Sequence, residues 1–295
     1  MLTRDDKRSF HGKGVPAFVV FSHPNHELAI LGLLQRLRPR IVYLTDGGGR
    51  KRVSETEEGL ASIGLLNQAT FLNYAEYTFY DSLLACDYMF FKNISDQVGA
   101  LLDCYRPAQI LCDAVEFYNP IHDLTFAIVR GALQSKDETP VFEVPLAYQK
   151  SMRPGDYEIQ RLPASRRKDQ IETQLTEDEL DNKLKARDHI YTSLLNQMGP
   201  LISKLSRDHL GLEVVAPAIP SLPKLSGDRI LRYEWRAELL RSLGKIQNAI
   251  TYSQHYAPMA SALLNAKGTL SASTAIMSSS ASGFGSTIAP PNESR

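Results

Sequence analysis

The chain has 295 residues, 43% hydrophobic and 22% charged, enough apolar material for a sizeable core and inconsistent with disorder along its whole length. Its 33 basic and 33 acidic side chains cancel, so it lacks the basic excess with which nucleic-acid binders neutralise phosphates, and it has no polybasic membrane anchor. Three cysteines, Cys86, Cys104 and Cys112, have no CxxC spacing, which argues against both a disulfide framework and a cysteine-built zinc centre.

The first fourteen residues are charged and lack the apolar centre of a signal peptide, and no apolar run approaches the ~20 residues that span a bilayer; a soluble, cytoplasmic protein is expected. Ala17-Phe18-Val19-Val20-Phe21 is an unbroken apolar run, as in a strand buried on both faces of a parallel sheet, and it stops at Ser22-His23-Pro24. Residues 27–37 carry Leu28, Ile30, Leu31, Leu34 and Leu37 at helical spacing. A second strand over 41–44 ends at Thr45-Asp46-Gly47-Gly48-Gly49. The helix expected next, over 53–65, has Glu55, Glu57 and Glu58 near its start, where the helix dipole favours acids. Leu101 to Cys104 closes a helix, 109–112 is a third buried strand, and 124–133 is again apolar at helical spacing. Strand, loop and helix repeated three times predict an α/β fold, a Rossmann-like parallel sheet flanked by helices on both faces. Further on, 151–175 reads as an exposed loop or edge hairpin. Thr176 and Glu179 fit a capping box ahead of a helix, and 229–246 is another helical stretch. One domain is expected over 1–268, followed by a flexible serine-rich tail over 269–295.

Ligands of open parallel sheets bind outside the carboxyl ends of the strands, so the site is expected in the exit loops 23–27, 45–52 and 116–123. His23 and His26 lie at the first exit and His122 at the third; they are three of only seven histidines. Three neutral imidazoles are a complete ligand set for a catalytic zinc with a fourth position open for water, although the same residues could cap helices without metal. Asn25, Glu27, Asp46, Glu116, Asn119 and Asp123 cluster with them. Gly47-Gly48-Gly49 before Arg50, Lys51 and Arg52 allows a phosphate nest or a plain turn. Cys112, Tyr233 and Trp235 read as packing residues.

His23-Pro24-Asn25-His26-Glu27 resembles the His-Pro-Asp-Asp-Glu signature of the PIG-L/LmbE-like family of metal-dependent N-deacetylases, where the motif also follows the first strand. Arg52-Val53-Ser54-Glu55, then Gly59, then Ile63-Gly64 is similar to the family's Arg-x-x-Glu-xxx-Ala-xxx-Leu-Gly helix. Arg106-Pro107 before a strand and Asn119-Pro120-Ile121-His122 after it resemble the Arg-Pro-Asp strand and His-Pro-Asp-His loop. The resemblance spans residues 15–150. It implies a Rossmann-like fold and hydrolysis of an N-acetyl group from an amino sugar or sugar conjugate. It also implies Zn2+ or another divalent metal on His23, His26 (usually Asp) and His122.

The resemblance puts Asn25 at the family's general-base position, Asn119 at that of the histidine near the oxyanion, and Ile121 at an aspartate. An amide cannot serve as a base near neutral pH. Two readings follow. In one, the enzyme is active, proton transfer passes to Asp46, Glu27 or Glu116, Asn25 and Asn119 donate hydrogen bonds, and Arg52 and Tyr118 contact the substrate. In the other, a catalytically impaired homologue binds metal or glycan in a binding or regulatory role. The expected partner is a small amino-sugar substrate, with no nucleic acid and no membrane span; oligomeric state is not specified by the sequence.

Overall fold

Successive residues of the first strand, β1 (Ala17–Phe21), enter opposite cores: Phe18 and Val20 join one apolar cluster, while Ala17, Val19 and Phe21 join another across the sheet. Burial on both faces is why the run shows no polar alternation. The computed structural model describes residues 14–133, 138–151, 156–203, 205–219, 221–222, 225 and 231–265. In it β1 lies inside a seven-stranded sheet. Its order is β3 (Ala69–Tyr74), β2 (Arg40–Thr45), β1, β4 (Gln109–Asp113), β5 (Val141–Val144), β9 (Leu212–Pro217) and β8 (Ile171–Gln174). The first five strands are parallel, as expected, and β9 adds an antiparallel edge by pairing with β5 and β8. β6 (Ala147–Gln149) and β7 (Tyr157–Ile159) form a separate hairpin. The stretch 151–175, read as an exposed loop or edge hairpin, holds β7 and β8, which pair with β6 and β9 and not with each other.

Helices cover both faces. α1 (Leu31–Leu37) and α2 (Arg50–Ser62) pack on one side; α3 (Glu76–Leu84), α4 (Tyr88–Tyr105), α5 (Pro120–Ala132) and α10 (Ala257–Asn265) pack on the other. The expected helix over 27–37 is a 3-10 turn, His26–Ile30, followed by α1. The helix after Thr176 is likewise divided, into α6 (Glu177–Lys185), a π turn (Ala186–Ile190) and α7 (Thr192–Ile202). Its capping box is formed as expected: Glu179 N donates to Thr176 Oγ1 at 3.3 Å and Thr176 N to Glu179 Oε2 at 2.8 Å. α8 (Arg207–Leu210) precedes β9, and α9 (Arg232–Ser242) lies within the stretch read as helical. The serine-rich segment 269–295 lies outside the described residues. No helix among those described is long and apolar enough to cross a membrane.

Two polar links join the second half of the chain to α1. Glu213 of β9 accepts hydrogen bonds from Gly32 N (3.0 Å) and Leu33 N (2.6 Å), satisfying amides that the helix start leaves without an internal partner. The ammonium of Lys183 donates to Glu213 at 2.9 Å and to Ala29 O at 3.0 Å, both charged groups being buried. On the surface, the Arg36 guanidinium grips the Glu179 carboxylate in a bidentate pair, Nε donating at 2.6 Å, and this holds Glu179 down to about 2.

Because the folded carboxylate of Glu179 stays ionised where the unfolded one, near 4.5, takes up a proton, its contribution to stability is complete above about pH 4.5 and fades as pH falls toward 2. Glu179→Gln is therefore expected to lower the urea midpoint at pH 7 but not at pH 2. An equal deficit at both pH values would refute this account of the Arg36–Glu179 pair.

Candidate active site

The chain runs from β1 outward through β2 to β3, then returns to the other side of β1 for β4, so strand order reverses between β1 and β4. Loops leaving two such strands diverge and open a crevice at their carboxyl ends. His23 stands just beyond β1, where its Nδ1 lies 2.6 Å from Oγ1 of Thr45, the last residue of β2. The Thr45 hydroxyl proton goes to Ser22 O at 2.8 Å. Nδ1 of His23 must then be the donor to Oγ1, which leaves Nε2 with a bare lone pair. His26 donates through Nδ1 to Asp113 Oδ1 at 3.0 Å, which frees its Nε2 in the same way. His122 opens the third imidazole position from the first turn of α5.

The three rings stand edge to face, with centroids 5.3 Å (His23–His26), 5.0 Å (His23–His122) and 4.4 Å (His26–His122) apart. Burial, then the closeness of His26, holds His23 and His122 well below the ordinary imidazole range, so both are neutral. His23 Nε2 and His122 Nδ1 are buried without a hydrogen-bond partner. Among the described residues no three His, Cys, Asp or Glu side chains are already gathered in metal-ligand geometry. What the trio offers is a partly unsatisfied imidazole donor set of the kind divalent metals take.

The carboxylates that looked available in the sequence are occupied elsewhere. Asp46 Oδ1 accepts from Gly48 N and Glu76 N, both at 3.0 Å, closing the β2 exit turn and capping α3. Glu116 accepts from Leu146 N (3.0 Å) and Ala147 N (2.9 Å), and burial keeps its pKa well up despite those amides. Asp123 takes Glu116 N (2.8 Å) and Phe117 N (3.1 Å) and is pushed up to about 8, chiefly by burial. Glu27 faces the hydroxyls of Thr56, Tyr191 and Tyr43 in the core, and burial raises it. Besides Asp113, which holds His26, the carboxylate that reaches the imidazoles is Glu76, at the start of α3, whose Oε1 is 3.7 Å from His23 Nε2. Burial raises its pKa, while the Arg52 charge opposes that rise. Glu76 was not legible because β3, the strand it follows, was not; the run Phe71-Leu72 before it was the available signal.

The amides are also placed. Asn25 adopts the left-handed conformation (φ 78°), which asparagine tolerates better than most residues. Its Nδ2 donates to Glu55 Oε2 at 3.0 Å, and Thr56 Oγ1 donates to its Oδ1 at 3.1 Å. Burial would raise Glu55, but hydrogen bonds from Thr192, Ser193 and Asn25 bring it below the usual range. Asn119 caps α5, accepting from Ile121 N at 2.9 Å, and its Nδ2 donates to Tyr80 Oη at 3.2 Å. Arg52 lies half-buried beside the imidazoles and donates to Pro24 O (2.6 Å) and Gly47 O (3.1 Å), joining the first two exit loops. The glycine turn is no phosphate nest, because the Gly47 and Gly48 amides are spent on Thr45 and Asp46 side chains. Gly48 (φ 87°) is required there: a Cβ would meet Glu76 Oε2 at 2.9 Å.

Above these groups opens a cavity of about 1200 Å3. His23, His26, His122, Arg52 and Glu76 line one part of it. Leu194, Met198 and Ile202 of α7 supply an apolar wall, and Tyr118, Tyr157, Arg232 and Arg236 complete another side. Neither Glu27, Asp46 nor Glu116 lines it.

No protein-family model matches the chain, and no curated protein matches it. Among solved structures it is similar to a deacetylase–bog complex from the teicoplanin biosynthesis pathway, at a TM-score of 0.50 and 12% identity over 70% of this chain and 98% of that one. The A40926 pseudoaglycone deacetylase Dbv21 superposes at 0.49 with 14% identity, covering 71% and 99% of the two chains. A 4-carboxy-2-hydroxymuconate hydratase from Pseudomonas putida does so at 0.40 with 13% identity, covering 72% and 100%. What is shared is the fold.

The neighbourhood of Asn25 explains why an aspartate would be unwelcome there: its carboxylate would replace the amide N–H that Glu55 accepts and set two anions side by side. Asn25→Asp is expected to cost about 1–3 kcal/mol of stability, read by denaturant unfolding at pH 7. An unchanged or increased stability would contradict this.

Proposed function

We propose that the chain is a metal-dependent hydrolase that removes an N-acetyl group from an amino sugar or sugar conjugate. The observation that carries the reading is the trio of imidazoles at the strand exits, with His23 Nε2 and His122 Nδ1 buried and unpartnered beside a large cavity. A divalent ion held by His23, His26 and His122, zinc or another, would supply Lewis-acid polarisation of the amide carbonyl and acidify the attacking water. Thr45 and Asp113 act as positioning residues, since each fixes the tautomer and aim of one imidazole. Glu76, rather than a residue of the His-Pro-Asn-His-Glu segment, accepts the water's proton at its carboxylate and returns it to the leaving amine. The Tyr80 phenol, raised chiefly by burial, stays protonated, and with the Asn119 amide it offers hydrogen-bond donors to the developing oxyanion. Arg52 holds the loops against each other and balances the charge of Glu76.

One observation favours the second reading, a catalytically impaired homologue that binds metal or glycan: the position of the usual base is an amide whose side chain is tied to Glu55 and Thr56. The readings part on turnover. Acetate release from a panel of N-acetylated amino sugars, with bound metal measured on the same preparation, is expected to show about one equivalent of divalent metal and measurable hydrolysis. Glu76→Gln should then cut kcat by about 10²–10⁴-fold with metal content unchanged. Metal without acetate release on any substrate would support the binding reading, and a chain that takes up no metal would overturn both.

Asp113→Asn separates positioning from chemistry. It is expected to weaken metal binding by about 10–100-fold, measured by competition with a chelating dye, because His26 loses its anionic acceptor. Unaltered affinity would remove His26 from the proposed ligand set.

A further inference from the structure

The cavity carries more positive charge than its acids answer. Arg232, the first residue of α9, lays its guanidinium 3.9 Å from the centroid of the Tyr118 ring, and that ring lies 6.0 Å from the ring of His122. The cation thus stands one aromatic ring beyond the imidazole floor. Its hydrogen bonds go to neutral oxygens, from Nε to Tyr157 Oη at 2.7 Å and from Nη1 to Tyr118 O at 3.4 Å. Arg236, one turn along α9, lines the same cavity, and its charge is felt at the hydroxyls of Tyr80 and Tyr118. Among the described residues no carboxylate forms an ion pair with either guanidinium. Glu234, the nearest acid in the sequence, turns away to accept from Leu231 N at 3.2 Å and Tyr252 N at 2.6 Å.

Arg232 is also badly placed for helix stability. A cation at the first position of a helix faces the positive end of the dipole, where an acid is preferred by roughly 0.3–1 kcal/mol. Cation–π stacking on Tyr118 fixes the side chain but leaves its charge unneutralised. A guanidinium held at a cavity wall, with an uncommitted edge and no carboxylate, fits the planar recognition of a carboxylate or phosphate.

We propose that the substrate carries an oxyanionic group, a phosphate or a carboxylate, on the part of the molecule beyond Tyr118 from the imidazoles. Arg232 and Arg236 are then its specificity-determining residues. This rests on reading the imidazole floor as the deacetylation centre. The balanced charge of the whole chain conceals this local excess.

The test is a matched set sharing one sugar: N-acetylglucosamine 1-phosphate, an N-acetylglucosaminide of a hydroxycarboxylic acid, and the uncharged methyl N-acetylglucosaminide. The kcat/KM of at least one anionic member is expected to exceed that of the methyl glycoside tenfold or more, and which one gains identifies the oxyanion. Arg232→Ala and Arg236→Ala should each shrink that ratio severalfold, Arg232→Lys should keep part of it, and added salt should reduce it. Arg241→Ala, on the same helix but paired with Glu238 at 2.9 Å, should keep it whole. Calorimetric binding of glucosamine 1-phosphate, of the de-N-acetylated glucosaminide of the same hydroxy acid and of methyl glucosaminide gives the same comparison without turnover. Arginine-dependent preference for an anion in binding, without acetate release, would uphold the anion site and refute the deacetylase reading. Hydrolysis or binding that ignores the charge, or an anion preference that survives both alanine substitutions, would refute the anion site and leave the deacetylase reading standing.

Discussion

One carboxylate holds the crevice in shape. Asp113 ends β4 and extends one oxygen to the Ser22 amide, at 2.7 Å, just beyond β1, and the other to the imidazole of His26, at 3.0 Å. It therefore spans the point at which strand order reverses and the two exit loops diverge. The 3-10 turn that brings His26 inward and the T-shaped packing of the three rings both presuppose that bridge. Thr45 plays the corresponding part on the β2 side, its hydroxyl joining Ser22 O, Gly47 N and His23 in one node.

The acids crowding the strand exits do a different job from the one their density suggests. Asp46, Glu116 and Asp123 each collect backbone amides, and so turn three loops of irregular chain into fixed walls. An amide buried without a partner costs about 1–3 kcal/mol, and these side chains supply the missing acceptors. The consequence for chemistry is economy. Once those acids are spent on architecture, and Asp113 on Ser22 N and His26, Glu76 is the carboxylate left facing the imidazoles, and the residues around it (Gly48 without a side chain, Arg52 with its charge) leave room for it and hold it.

Legibility followed burial. β1, β2 and β4 are buried on both faces and show as uninterrupted apolar runs, so their exits, and with them His23, His26 and His122, could be located from sequence. β3 is a half-exposed edge strand with Thr70 and Asn73 in it, and the apolar pattern passes over it; Glu76 was lost with it. β5 carries the buried Glu143, whose cost is offset by Arg166 at 2.6 Å from another part of the chain, a pairing that local pattern cannot foresee. The two positioning residues were missed for a narrower reason. Thr45 and Asp113 are the final residues of their strands, and an apolar run stops one residue short of a polar end. The left-handed Asn25 and its link to Glu55 depend on α2 lying alongside, which no spacing within the motif encodes.

The start of α1 has a bearing on how this molecule comes together. Its amides at Gly32 and Leu33 are closed by Glu213, which lies 181 and 180 residues further along the chain. Loop closure over such a separation is slow compared with local helix formation. All three imidazoles are synthesised within the first half of the chain, yet the helix that follows the His26 turn is capped only after β9 has entered the sheet. A fragment ending near residue 150 would hold every proposed ligand and still lack the carboxylate that closes this helix start. The site is local in sequence but global in assembly.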